Sequence, residues 1–116
     1  DDDDLKVTQS QELHLRCKTV NDLQEVYKNC IYVSIHVNAS GSDNKWHNAT
    51  GWEIYTTKGT TKADKLATCI YNRAKSNFKN SRKLRADFSD GDPDKEAEFY
   101  VLKHTTCPAV LTENFF

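Results

Sequence analysis

The sequence predicts an α/β fold, a three-layer sandwich in which helices flank a mostly parallel central sheet. Residues 31–38 form a run of β-branched and aromatic side chains, bounded by Asn29 and an Asn-Ala-Ser-Gly cluster, and read as a buried strand. Residues 108–113 repeat the pattern more briefly, with Ala109, Val110 and Leu111 closing on Glu113. Before the first run and between the two lie stretches whose apolar residues recur at spacings of three and four, the signature of amphipathic helices. Alternation of strand and helix makes 31–38 and 109–113 the two central strands, buried on both faces. Each delivers one reactive side chain, His36 or Glu113, to its carboxyl end, where open α/β sheets keep their chemistry.

Length and charge bound the function. With 116 residues, 37% of them hydrophobic, the chain makes one domain near the lower size at which an α/β core is stable. Sixteen Lys+Arg against seventeen Asp+Glu leave a formal charge of -1, which argues against nucleic acid or an anionic membrane and suits a neutral polymer. No apolar run approaches the ~20 residues of a membrane span. The four aspartates at 1–4 stand where a signal peptide carries basic and then apolar residues, and read as a solvated loop. Cys17, Cys30, Cys69 and Cys107 form no C-x-x-C pair and fall on apolar positions of expected elements. Buried free thiols in a chain made in reducing cytoplasm are the first reading, a disulfide the second.

In chain order, residues 5–8 read as the tail of a strand. A helix follows over 12–28, with Leu13, Cys17, Val20, Leu23 and Tyr27 on its buried face and Ser10 as N-cap. A polar loop at 39–50 leads from the first strand to a second at 51–57, with Trp46 and Trp52 flanking the junction. Thr60 or Thr61 caps a helix over 62–78, whose stripe is Ala63, Leu66, Ala67, Ile70, Ala74 and Phe78. Residues 81–97 carry no period and contain Asp-Gly-Asp-Pro-Asp, a solvated loop whose spacing fails the EF-hand template for calcium. A strand at 98–103 precedes the last one. The chain enters on what reads as the end of a strand and stops at 113–116, directly after another, so the sequence reads as part of a longer protein, incomplete at both termini.

A neutral imidazole at a strand end is a good zinc ligand, and a nearby carboxylate can take a proton from water activated there. The competing structural readings are a hydrogen-bonded core histidine and a solvated glutamate. A catalytic zinc needs three protein ligands, and His14, His47 and His104, on a helix flank, in the polar loop and before the last strand, do not obviously supply them.

Four motifs occur in order: Ser34-Ile35-His36-Val37-Asn38, Gly51-Trp52-Glu53-Ile54-Tyr55, Phe99-Tyr100-Val101-Leu102-Lys103, and the run from Pro108 through Thr112-Glu113-Asn114 to Phe116. Together they resemble the zinc-dependent N-acetylmuramoyl-L-alanine amidases that hydrolyse peptidoglycan, many phage endolysins among them. The spacing of Leu13, Arg16, Val20 and Asn21 is similar to that family's Leu-x-x-Arg-x-x-x-Ala-Asn helix, with Val20 in place of Ala. The resemblance implies one partial amidase catalytic domain over 1–116. It implies zinc as cofactor with His36 as a ligand, and Glu113 as the catalytic group that accepts the water proton and passes it to the leaving amine. Arg85 and Asn38 are candidate substrate-binding residues. Arg85 would donate a bidentate hydrogen bond to a carboxylate of the stem peptide or of the site, and Asn38 would bond a ligand or shape the strand exit.

The sequence also departs from the family. The opening Gly-His-Gly strand and the glutamate ligand after it are absent, leaving His36 alone of three expected ligands, and the segment beyond the catalytic glutamate is missing. Alone, these 116 residues would bind zinc poorly and hydrolyse little. The alternative readings are an inactive remnant, or a non-catalytic peptidoglycan-binding module with Trp46, Trp52 and Tyr55 as platforms for sugar rings. The expected place of action is the bacterial cell wall, reached by export or by a phage endolysin made in the cytoplasm. In that setting the glycosylation acceptor patterns at 38–40 and 48–50 read as coincidence.

Overall fold

The computed structural model describes residues 8–37, 51–57, 61–78, 84, 95–96 and 99–114, without the side chain of Glu96. In order these are α1 (Gln9–Tyr27), β1 (Tyr32–His36), β2 (Trp52–Thr56), α2 (Lys62–Phe78), β3 (Lys95–Glu96), α3 (Tyr100–Lys103) and β4 (Ala109–Asn114). The expected strand tail at 5–8 falls outside them except for Thr8, as does the polar loop at 39–50.

The strand order is β1-β4-β2-β3, with β1–β4 and β2–β3 parallel and β4–β2 antiparallel, so the sheet is mixed. The strand β4 lies in its middle and is buried from Ala109 through Thr112. The strand β1, expected to be central, pairs only with β4 among the described strands and buries only Ser34, while Ile35 is 76% exposed.

Side-chain alternation sorts the sheet into two faces. Trp52, Ile54 and Val110 point to α2, where they pack with Ala67, Tyr71 and Ala74. Ala109, Leu111 and Tyr55 point the other way, against Cys17 and Leu13 of α1 and Val101 and Leu102 of α3. Ile54 and Val110 are wholly buried, each worth about 1.5–3 kcal/mol relative to exposure.

The helix α2 has the bounds that its apolar stripe predicts. Thr61 precedes it, and the Asp64 carboxylate accepts the Thr61 N–H at 3.0 Å, half of a capping box with a negative charge at the helix's positive end. The helix α1 is capped by Thr8 rather than Ser10. The Thr8 hydroxyl accepts the Gln11 N–H at 3.1 Å while the Gln11 side chain accepts the Thr8 N–H at 2.9 Å, a reciprocal box that Ser10, inside the first turn, cannot make. Leu13, Cys17 and Val20 face inward, but Leu23 and Tyr27 are 47% and 66% exposed, because the inward face drifts to Asn21 and Gln24.

Two expectations for the second half of the chain fail. The run at 98–103 does not form a strand: Tyr100–Lys103 is one helical turn, closed by the Lys103 and His104 N–H groups onto the Phe99 and Tyr100 carbonyls. Val101 and Leu102 are adjacent and both buried in the same core, which a helical turn allows and a pleated strand forbids. Within the span read as loop, Lys95–Glu96 pairs with β2 as β3, and Leu84 bridges to Trp52. The remainder of that loop lies outside the described residues.

Candidate active site

Three strands bring three side chains into one row. In the register of β1 with β4, His36 lies opposite Glu113, and in that of β4 with β2, Glu113 lies opposite Glu53. All three project from the face that carries Tyr55, Leu111 and Ala109, at the carboxyl ends of β1 and β4. His36 is exposed, Glu113 half-buried and Glu53 buried.

Each member has a distinct environment. The His36 Nε2 lies 2.8 Å from the Oγ of the buried Ser34, two residues back on the same face, so the imidazole is held from beneath with its outer edge open. Glu53 forms an ion pair with Lys95 of β3 at 2.7 Å. Glu113 Oε2 is buried and has no hydrogen-bond partner among the described residues. Burial pushes the Glu113 carboxyl above its ordinary value, the neighbouring Glu53 adds to the rise, and His36 opposes it. A carboxylate shifted upward beside an imidazole is suited to taking and returning a proton near neutrality.

An orphaned buried acceptor costs about 1–3 kcal/mol, and a water or a metal-associated group next to His36 would satisfy it. The pair His36 and Glu113 therefore fits one wall of a zinc site. Among the described residues no group of three or more His, Cys, Asp or Glu side chains is assembled that could hold the metal alone. His14 and His104 line a separate cleft between α1 and α3, with Cys17, Asn21 and Tyr100. Arg85, Asn38, His47 and Trp46 lie outside the described residues.

Trp52 is not a sugar platform: it is 3% exposed, its ring lies 6.3 Å from that of Tyr71, and its indole N–H donates to Asn114 Oδ1 at 2.9 Å. Tyr55 packs edge-on against Phe99 at 5.2 Å. The four cysteines are free thiols, with Cys17 and Cys107 buried, Cys30 partly so and Cys69 exposed on α2.

Three residues of this region escape a reading of the sequence alone: Glu53, Asn114 and Ser34. Glu53 alternates with Trp52 and Ile54, so the strand pattern alone puts it on the other face of the sheet and gives no sign that this face is covered there. Asn114 and Ser34 look like ordinary polar residues at strand positions.

The profile of a family described as N-acetylmuramoyl-L-alanine amidase matches residues 1–116. A search of curated protein sequences returns no significant match. Among solved structures, the chain is similar to the N-acetylmuramoyl-L-alanine amidase from Clostridium difficile 630, at 28% identity and TM-score 0.65 over 90% of this chain and 48% of that one. It is also similar to Cwp6 from Clostridium difficile, at 29% identity and TM-score 0.52 over 83% of this chain and 14% of that one. The fold alone is shared with the CwlD amidase from Clostridioides difficile, solved with the GerS lipoprotein, at 22% identity and TM-score 0.58 over 95% of this chain and 50% of that one. The chain thus spans about half the length of the first and last of these structures.

Proposed function

Since this chain belongs to the N-acetylmuramoyl-L-alanine amidase family, we propose that residues 1–116 are part of a catalytic domain that hydrolyses the amide between N-acetylmuramic acid and L-alanine in peptidoglycan. The observation that carries this reading is the orphaned Glu113 Oε2, in register with His36 at the carboxyl ends of two parallel strands. Zinc is the cofactor of this reading, with His36 as one ligand and further ligands from outside the described residues. When bound, zinc supplies Lewis acidity to the amide carbonyl and lowers the pKa of water towards about 7.

The chain's own residues do the rest. Glu113 accepts a proton from the attacking water as the new C–O bond forms, then returns it to the L-alanine nitrogen as the C–N bond breaks. His36, its ring held by Ser34, fixes the position at which that water is presented. Glu53, held by Lys95, keeps a second negative charge beside Glu113 and opposes early loss of the proton that Glu113 has taken. Arg85 engages a carboxylate of the stem peptide and Asn38 contacts substrate at the exit of β1. In the complete domain the sheet is mostly parallel and sandwiched between helix layers, and the protein acts at the bacterial cell wall. Among the described residues no helix is long and apolar enough to cross a membrane.

The test is release of free L-alanine amino groups from purified peptidoglycan by the intact protein. The reading expects hydrolysis that is lost on chelation, restored by zinc and absent in Glu113→Gln. A folded, zinc-supplied protein that releases no amine would overturn it.

A further inference from the structure

The end of β1 poses a physical problem that one side chain solves. His36 is the last residue of β1, its partner Glu113 closes the β1–β4 ladder, and the next residue, Val37, is 80% exposed. Past the last pair of a ladder, a strand's carbonyls lose their ladder donors and the strand end frays more readily. Here the His36 carbonyl is met by Asn114, one residue beyond Glu113, whose Nδ2 donates to it at 3.0 Å. The same nitrogen donates to Thr112 Oγ1 at 2.9 Å, and Asn114 Oδ1 accepts the Trp52 indole N–H at 2.9 Å.

One amide thus bridges β1, β4 and β2 from the face opposite the His36 ring, and the arrangement admits one orientation of its oxygen and nitrogen. Exchanging them would set donor against the Trp52 N–H and acceptor against the His36 carbonyl. We propose that Asn114 is a positioning residue for the active site: by carrying the β1–β4 ladder one bond further, it fixes the His36 backbone while Ser34 fixes the ring. The inference rests on the proposed amidase reading for its catalytic consequence, but its structural content stands without it.

The experiment compares Asn114→Asp and Asn114→Ala with Asn21→Ala in the intact protein. The Asn114→Asp variant keeps an acceptor for Trp52 and places an oxygen against the His36 carbonyl. The Asn21 side chain makes an equivalent set of tethers at the opposite end of β4, donating to the His104 carbonyl at 2.8 Å and accepting from the Thr106 N–H at 2.8 Å, so its loss controls for destabilisation. The readouts are the NMR signals of the His36 imidazole and carbonyl in metal-free protein, and kcat and KM on peptidoglycan. Both Asn114 variants are expected to shift or split the His36 signals and to lower kcat roughly tenfold or more at little-changed KM, with Asn21→Ala doing neither. Undisturbed His36 signals in both Asn114 variants would overturn the proposal, as would a kcat loss no larger than that of Asn21→Ala at matched stability. His36 signals disturbed in both Asn114 variants, with a wild-type protein that hydrolyses nothing, would uphold the positioning role and reject the amidase reading instead.

Discussion

Glu53 and Glu113 face each other across antiparallel strands, and Lys95 closes on Glu53 from the far side at 2.7 Å. Like charges directly opposite on a sheet are destabilising, so the pair persists because one member is neutralised and the other is shifted toward its protonated form. The arrangement gives the two carboxylates different surroundings, Glu53 beside a cation and Glu113 pushed above its ordinary value by burial.

Removing the cation should therefore cost more than removing the anion. Lys95→Met removes one cationic partner of a buried carboxylate and is expected to destabilise the fold by about 1–3 kcal/mol, whereas Glu53→Gln leaves a partly exposed lysine that water can solvate. Urea midpoints decide: a smaller loss for Lys95→Met than for Glu53→Gln would contradict the assignment.

The raised carboxyl of Glu113 sets a pH dependence. A group whose folded pKa lies above its unfolded value of about 4.5 contributes stability that is fully present below that value and is lost as pH rises through the folded pKa. In metal-free protein, Glu113→Gln should thus be more stable than wild type at pH 7, with the gap closing as the pH falls to 4. A gap that is constant across this range would show that burial does not shift Glu113.

Ser34→Ala removes the hydroxyl that holds the His36 ring while leaving the strand and its register in place. The expected outcome is about 10–100-fold weaker zinc binding by the intact protein with an unchanged thermal midpoint. Equal zinc affinity in wild type and variant would mean that the Ser34 contact does not orient the ligand.

The cysteines should separate by reactivity. Burial pushes the Cys17 and Cys107 thiols up, and both are enclosed, while Cys69 is exposed on α2. Under native conditions a thiol reagent should modify Cys69 first and reach Cys17 and Cys107 only on unfolding. Early labelling of Cys107 would contradict the packing of α3 against β4.

The elements legible in the sequence are those whose signal is local. The stripe from Ala63 to Phe78 gave α2 its bounds, and the apolar run before Glu113 marked β4. The misread elements depend on partners distant in the chain. The run 31–38 has the residues of a central strand, but its burial is decided by what pairs with its outer edge, and among the described strands only β4 does. Val101 and Leu102 become helical because Cys17 and Leu111 offer both of them one core. At the site, His36 and Glu113 were drawn from a resemblance in motif, and their roles stand as proposals. Glu53 and Asn114 entered only with the antiparallel register of β2 on β4, which no local pattern encodes.

The central claim is that Glu113, beside His36, moves the proton in amide hydrolysis. Its most direct test is mass spectrometry of peptidoglycan fragments after digestion by zinc-supplied intact protein, wild type against Glu113→Gln. The account predicts intact stem peptides with a free L-alanine amine, released at a rate at least about a hundredfold lower in the variant. Equal release by both proteins, or cleavage only within the glycan or the peptide, would contradict it.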